Sequence, residues 1–247
     1  MIDFHCHLDL YKDPLSLLPK VEKKCDFVLA VTTSPRAWEQ TSKYFSSVSC
    51  IHTAIGFHPE LVQSRIIERE LFLSSISKVK FVGEIGIDGT KENISSIKLQ
   101  QEIFSEAIQV SEKNGGKILS VHSRNATSIV LDVIEANVQK CTPVLHWFSG
   151  TVKELDRAIS MGCWFSVNAS MLTGKKGAGL VARIPMDFIL PETDGPFIMN
   201  KNTPYMPWET SVVVKQLAGI FSLHESKMNN LIAENLKCVL SSKKANL

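Results

Sequence analysis

Lys117-Ile118-Leu119-Ser120-Val121-His122 is a short, mostly apolar run closed by a histidine, and Ser128–Asn137 behind it is amphipathic at helical spacing. That unit, a strand and then a helix, recurs along the chain. Comparable runs occupy Ile2–Phe4, Phe27–Thr33, Ile51–Phe57, Lys80–Ile85, Pro143–His146, Cys163–Val167 and Phe188–Pro191. Helical stretches lie between them, among them Gln100–Glu112, whose Ile103, Phe104, Ala107, Ile108 and Val110 fall on one face, and Val152–Met161. Strands that read as near-continuous hydrophobic runs, each followed by a helix, belong to a parallel sheet covered on both sides. Eight such units in 247 residues favour an α/β fold of the (β/α)8 barrel type, a TIM barrel, as a single domain over residues 1–247. The alternative is an open doubly wound sheet, because strand order is not written in one sequence. Val212–Ser222 and Glu225–Leu240 supply terminal helices, Asp194–Pro207 is expected to be a long loop at the barrel mouth, and Ser241–Leu247 a frayed polar tail.

With 44% hydrophobic residues the chain can bury a large core, and its net charge of +2 gives no global signature of a polyanion partner. Any nucleic acid has to be recognised locally. The six cysteines are scattered without a C-x-x-C pair, a pattern of reduced thiols. No apolar run reaches membrane-spanning length, and Asp3, His5 and His7 interrupt what would be the start of a signal peptide. These features lead to the expectation of a soluble, cytoplasmic protein with no membrane partner.

Polar residues gather at the strand ends. His5-Cys6-His7 follows the first run; on a strand the two imidazoles point one way and Cys6 the other. Glu84 closes the fourth run, His122 the fifth, His146 the sixth, and Asp194 follows the eighth. In a barrel these C-terminal ends ring one mouth, where active sites are built. A lone histidine or glutamate there is usually structural. Six at the same end of five units form the inventory of a two-metal hydrolytic site with a bridging carboxylate.

The motifs His5-Cys6-His7-Leu8-Asp9, Gly56-Phe57-His58-Pro59, Gly83-Glu84-Ile85-Gly86-Ile87-Asp88, His122-Ser123-Arg124, His146-Trp147-Phe148-Ser149-Gly150 and Glu192-Thr193-Asp194-Gly195-Pro196 closely resemble, in order, those of TatD-family metal-dependent deoxyribonucleases. The likeness extends to Ala233-Glu234-Asn235. It implies an amidohydrolase-like barrel that hydrolyses DNA phosphodiester bonds, usually as an exonuclease, with DNA as its partner. Carried over position by position, His5, His7, Glu84 and Asp194 hold one divalent ion, and Glu84, His122 and His146 hold the other. The nucleophile is then a metal-activated water, with Asp194 its general base and positioner. Mg2+ or Mn2+ suits phosphate chemistry, while four histidines also suit Zn2+.

Around these ligands, Arg124 is the candidate phosphate clamp, because its planar fork binds two oxygens at once. His58, Lys175 and Lys176 are further candidate substrate contacts, although a lysine pair is more often a solvated loop. Asp88 is expected to orient a ligand from behind, and Trp147 to stack on a base, although a tryptophan is more often core or wall. Cys50-x-His52 reads as structural, and Gly174-Lys175-Lys176-Gly177-Ala178-Gly179 matches no phosphate-loop spacing. The chain departs from the family pattern at Gly89-Thr90, Trp147 and Gly195, none of them a ligand. That divergence, with the opening Met1–His7, is similar to the QatD-type branch of anti-phage cassettes, which implies protein partners in a defence complex. Two alternatives stand beside the nuclease: an amidohydrolase-like enzyme cleaving a small amide, ester or lactone, and a barrel active only within such a complex.

Overall fold

The strand–helix alternation is realised throughout the computed structural model, which describes residues 1–241; the rest of the expected polar tail, residues 242–247, lies outside the described residues. Eight strands, β1 (Ile2–Cys6), β2 (Phe27–Val31), β3 (Ile51–Ala54), β4 (Phe81–Gly86), β5 (Ile118–His122), β6 (Thr142–His146), β7 (Trp164–Val167) and β8 (Ile189–Pro191), match the eight apolar runs. β1 to β3 pair in parallel, and so do β4 to β8. Two short joins turn these sheets into a ring. Past β3, Ile55 bridges Val82, and Phe57 donates its N–H to the Glu84 carbonyl at 3.0 Å. Past β8, Asp194 donates to the His5 carbonyl at 2.9 Å, and His7 donates to the Gly195 carbonyl at 2.8 Å. An open sheet would leave the β1 and β8 edges apart, so the doubly wound alternative is corrected to a closed barrel.

Every residue of β2 and β4 is buried, as befits strands with a packed interior on one side and helices on the other. The outer layer is built from α1 (Pro14–Lys24), α2 (Pro35–Phe45), α3 (Arg69–Ser75), α4 (Ile97–Lys113), α5 (Thr127–Asn137), α6 (Val152–Ser160), α7 (Ala169–Thr173), α8 (Lys175–Val181), α9 (Ser211–Ile220) and α10 (Glu225–Leu240). The buried face of α4 is Ile103, Phe104, Ala107 and Ile108, as its spacing predicts. α1 and α2 escape a reading by apolar periodicity, although both carry start signals. Asp13 and Ser34 cap them, each followed by a proline in the first turn. Lys175 and Lys176, weighed as a solvated loop, are instead the exposed first residues of α8.

The segment Asp194–Pro207 is not a bare loop. It folds into a small antiparallel hairpin, β9 (Met199–Asn200) with β10 (Thr203–Pro204), and the Tyr11 hydroxyl donates to the Tyr205 carbonyl to hold it down. At the far end, buried Asn235 of α10 donates to the carbonyls of Met186 at 2.7 Å and Ile189 at 2.8 Å, pinning the last helix to the entrance of β8. No helix among the described residues is long and apolar enough to cross a membrane.

Candidate metal centre

Both strands that carry the first candidate ligands slip register beside them. Asp3 and Cys6 of β1 pair with Val28 and Ala30, so β1 fits one extra residue between them. β4 does the same between Val82 and Ile85, which pair with Leu119 and Val121. Such bulges re-aim a side chain without ending the strand. In β1, Phe4 stacks on Phe27 in the main core, His5 and His7 both reach Glu84, and Cys6 turns outward to pack with Leu8, Val28 and Ala30. The expected opposition of Cys6 to its two neighbours is therefore present, on a strand whose alternation is broken just before it. In β4 the slip falls around Glu84. Gly86 then follows at φ +136°, where a Cβ would stand 2.1 Å from the His122 carbonyl oxygen, so only glycine lets the two strand ends meet.

Glu84 is the hub. Its Oε2 lies 3.1 Å from His7 Nε2 and 3.6 Å from His5 Nε2. Its Oε1 lies 2.8 Å from His122 Nδ1, 3.3 Å from His58 Nε2 and 3.7 Å from His146 Nε2. One carboxylate oxygen thus serves the β1 histidines and the other serves those from β3, β5 and β6. Asp194 joins the first set, its Oδ1 3.7 Å from His5 Nε2 and 3.8 Å from His7 Nε2. Asp194 and Trp147 both hold positive φ, +49° and +40°, a conformation that costs a non-glycine residue energy and marks backbone held in place by its surroundings.

Most of these rings are steadied from behind. Ser120 Oγ lies 2.7 Å from His5 Nδ1, and Asp88 Oδ2 lies 2.8 Å from His122 Nε2. Glu192 spans His146 Nδ1 with both oxygens, at 3.0 and 3.1 Å, and is itself held by Asn168 at 2.8 Å. The Asp88 carboxylate also accepts from Thr90 and Asn93, which fixes it behind His122. His5 Nε2 is buried, has no hydrogen-bond partner, and faces two carboxylates. An orphaned ring nitrogen among acid oxygens is what a divalent cation satisfies, so the donor set fits a metal.

Protonation follows from this crowding. Burial works against the charge of His122, but Asp88 and Glu84 outweigh it and hold the ring's pKa up at about 9. For His146 burial is likewise overcome, by Glu192 and Asp194, which raise it to about 10. His5 goes the other way: burial and the neighbouring charge of His146 press it down to about 4. Burial also opposes ionisation of Glu84, yet the surrounding histidines hold it well below the usual carboxylate range. Asp194 is pushed up to about 7 by burial.

The hub opens into a cavity of about 630 Å3 lined by His7, His58, Glu84, His122, His146 and Asp194, with Arg124, Trp147 and Phe197 on its walls. Arg124 is exposed there. Lys176 instead lines a shallower depression that shares Ser149 with the main cavity, and neither lysine touches the cavity itself. Cys50 and His52 join no cluster of ligating side chains among the described residues; the His52 ring stacks on Phe27 at 4.7 Å, in keeping with the structural reading. Three members of the site were not singled out for these places by sequence. His58, taken for a substrate contact, stands beside Glu84 and His122. Glu192 and Phe197 carried no role at all, although Glu192 lies two residues before Asp194 in the same motif.

A buried carboxylate shared among five imidazoles at the C-terminal mouth of a parallel barrel defines the class, a metal-dependent hydrolase. Comparison with known proteins agrees. The profile described as TatD related DNase matches residues 2–241, and the chain belongs to that family. An uncharacterized metal-dependent hydrolase of Buchnera aphidicola is 33% identical over 218 residues, covering 80% of this chain and 81% of its own. The human deoxyribonuclease TATDN3 is 25% identical over 260 residues, covering 95% and 92%. Among solved structures, the TatD homologue YJJV of Escherichia coli superposes with a TM-score of 0.87 at 19% identity, covering 97% of each chain.

Proposed function

We propose that this chain, acting as one barrel domain, is a metal-dependent deoxyribonuclease that trims single-stranded or frayed DNA ends. The observation that carries the reading is the division of labour at Glu84, whose two oxygens face two separate sets of nitrogens. On this reading His5, His7, Asp194 and Glu84 hold one divalent ion, and Glu84, His122 and His146 hold a second, with His58 at its side. When bound, ions of this kind (Mg2+, Mn2+ or Zn2+) polarise a phosphate and make a water acidic enough to lose its proton near neutral pH. The deoxyribonuclease name of the human relative supports DNA as the substrate.

The chain's own groups do the rest. Asp194, on a backbone locked by its bond to His5, accepts the proton of the attacking water at its carboxylate. Arg124 binds the phosphate through its guanidinium fork. Lys176, with Lys175 beside it, adds positive charge along the depression next to Ser149, where the strand beyond the scissile bond would run. Glu192 keeps the His146 ring turned so that Nε2 faces Glu84. Glu192→Gln should therefore weaken metal affinity or activity by 10- to 100-fold, measured by metal titration, with little change in KM. The six free cysteines suit a reducing compartment such as the cytoplasm.

The test is end-labelled single-stranded oligonucleotide with metal-stripped protein, restored with each ion separately. A ladder advancing from one end is expected with at least one ion and none without. Asp194→Asn should lower kcat by about 10²- to 10⁴-fold. An undiminished rate would rule out Asp194 as the base. The defence-complex reading rests on motif divergence alone, and cleavage by the isolated chain counts against a need for partners.

A further inference from the structure

Five rings run in contact from one wall of the cavity to the other, three of the contacts edge-on and one face to face. Phe197 meets His7 at 5.0 Å between ring centres, His7 meets His5 at 5.2 Å, His5 stacks on His146 at 3.7 Å, and His146 meets Trp147 at 6.2 Å. The three histidines are buried; the two rings that end the run are not, Trp147 being 37% and Phe197 59% exposed. Both nevertheless line the cavity.

Large aromatic side chains usually gain most by being covered, and two held open over one cavity beside the hub point to a flat ligand with apolar faces. Their mobility is restricted by the candidate ligands themselves. Trp147 directly follows His146 with φ +40°, and Phe197 donates its N–H to the Asp194 carbonyl at 2.9 Å. A ring tied so closely to the hub stands within one nucleotide of any phosphate bound there. A base still stacked in a duplex has no free face to offer, whereas an unpaired base does, whatever its identity.

We propose that Trp147 and Phe197 form a stacking site for the unpaired nucleobase next to the scissile phosphate. The site selects single-stranded ends and ignores sequence. This rests on the DNA-cleavage reading above and names the feature of the substrate that the mouth recognises.

The experiment pairs removal of the base with removal of the rings. Single-stranded oligonucleotides ending in ordinary nucleosides are compared with the same strands ending in tetrahydrofuran residues, which lack a base. For the wild type, KM should rise about tenfold on the base-free ends. Trp147→Ala with Phe197→Ala should raise KM about as much on ordinary ends, and combining both losses should add nothing further. A second readout is fluorescence of the metal-stripped protein, in which no strand is cut: a strand with bases should quench Trp147 emission, a base-free strand should not, and Trp147→Phe should abolish the signal. Equal losses on both substrates, together with quenching that ignores the bases, would overturn the stacking site while leaving the nuclease reading intact. Base-dependent quenching with no cleavage under any ion would keep the stacking site and sink the nuclease reading.

Discussion

Glu84→Gln should lower kcat on single-stranded DNA by at least about a thousandfold, at the upper end of what loss of one positioned electrostatic contact costs. The side chain keeps its size, so the barrel should still fold and melt cooperatively. What disappears is the only charge common to the two sets of nitrogens, His5 and His7 on one oxygen and His58, His122 and His146 on the other, among the described residues. Metal analysis of the purified variant should therefore show depletion of bound ion, not just slower turnover. A variant that retains full metal and more than a tenth of the rate would mean that Glu84 bridges nothing.

Gly56→Ala should be the most damaging single methyl in the barrel. A Cβ there would stand 1.7 Å from the Thr32 carbonyl oxygen, 2.6 Å from the Glu84 nitrogen and 2.8 Å from the Gly83 oxygen. All three are backbone atoms, so no side chain can swing away. The pinch they form is where β2 and β4 meet, with Glu84 N–H donating to Thr32 O at 3.1 Å. Relief requires the strands to part at the hub itself. The expected loss is about 4 kcal/mol or more, or a fall in Tm of roughly 10 °C for a chain of this size. Gly219→Ala is the matched control. Gly219 is exposed near the end of α9 with nothing within 4 Å of an added Cβ, and substitution there should be neutral or stabilise by up to ~1 kcal/mol. Thermal denaturation of the two variants side by side separates the effect of place from that of residue type.

The strands and most candidate ligands were legible because the same local signal announces both. His122 and His146 each close a run of buried apolar residues and Glu84 lies near the end of one, and a barrel turns the ends of such runs into neighbours. The register slips in β1 and β4 were not legible, since an extra residue in one strand leaves no mark in composition or alternation over so short a run. Nor was the place of His58, which depends on how β3 leaves the sheet through Ile55 and Phe57 rather than on its own spacing. Glu192 could have been found. It ends the same run as Asp194, and a second carboxylate two residues away on a strand end is a natural partner for a ligand histidine. Phe197 had no signal, because its position comes from the turn after Asp194 and from the hairpin that follows.

The bond from Asp194 to the His5 carbonyl joins the beginning of the chain to a point nearly 190 residues later. During synthesis His5 and His7 precede Asp194 by most of the barrel, so their set of candidate ligands stays incomplete until the eighth strand has followed them out. Every product that stops before Asp194 lacks that carboxylate and leaves the other candidate ligands on an unclosed sheet. The site is thus disarmed by its own topology until the eighth strand has been made: the step that closes the barrel is also the step that arms the site.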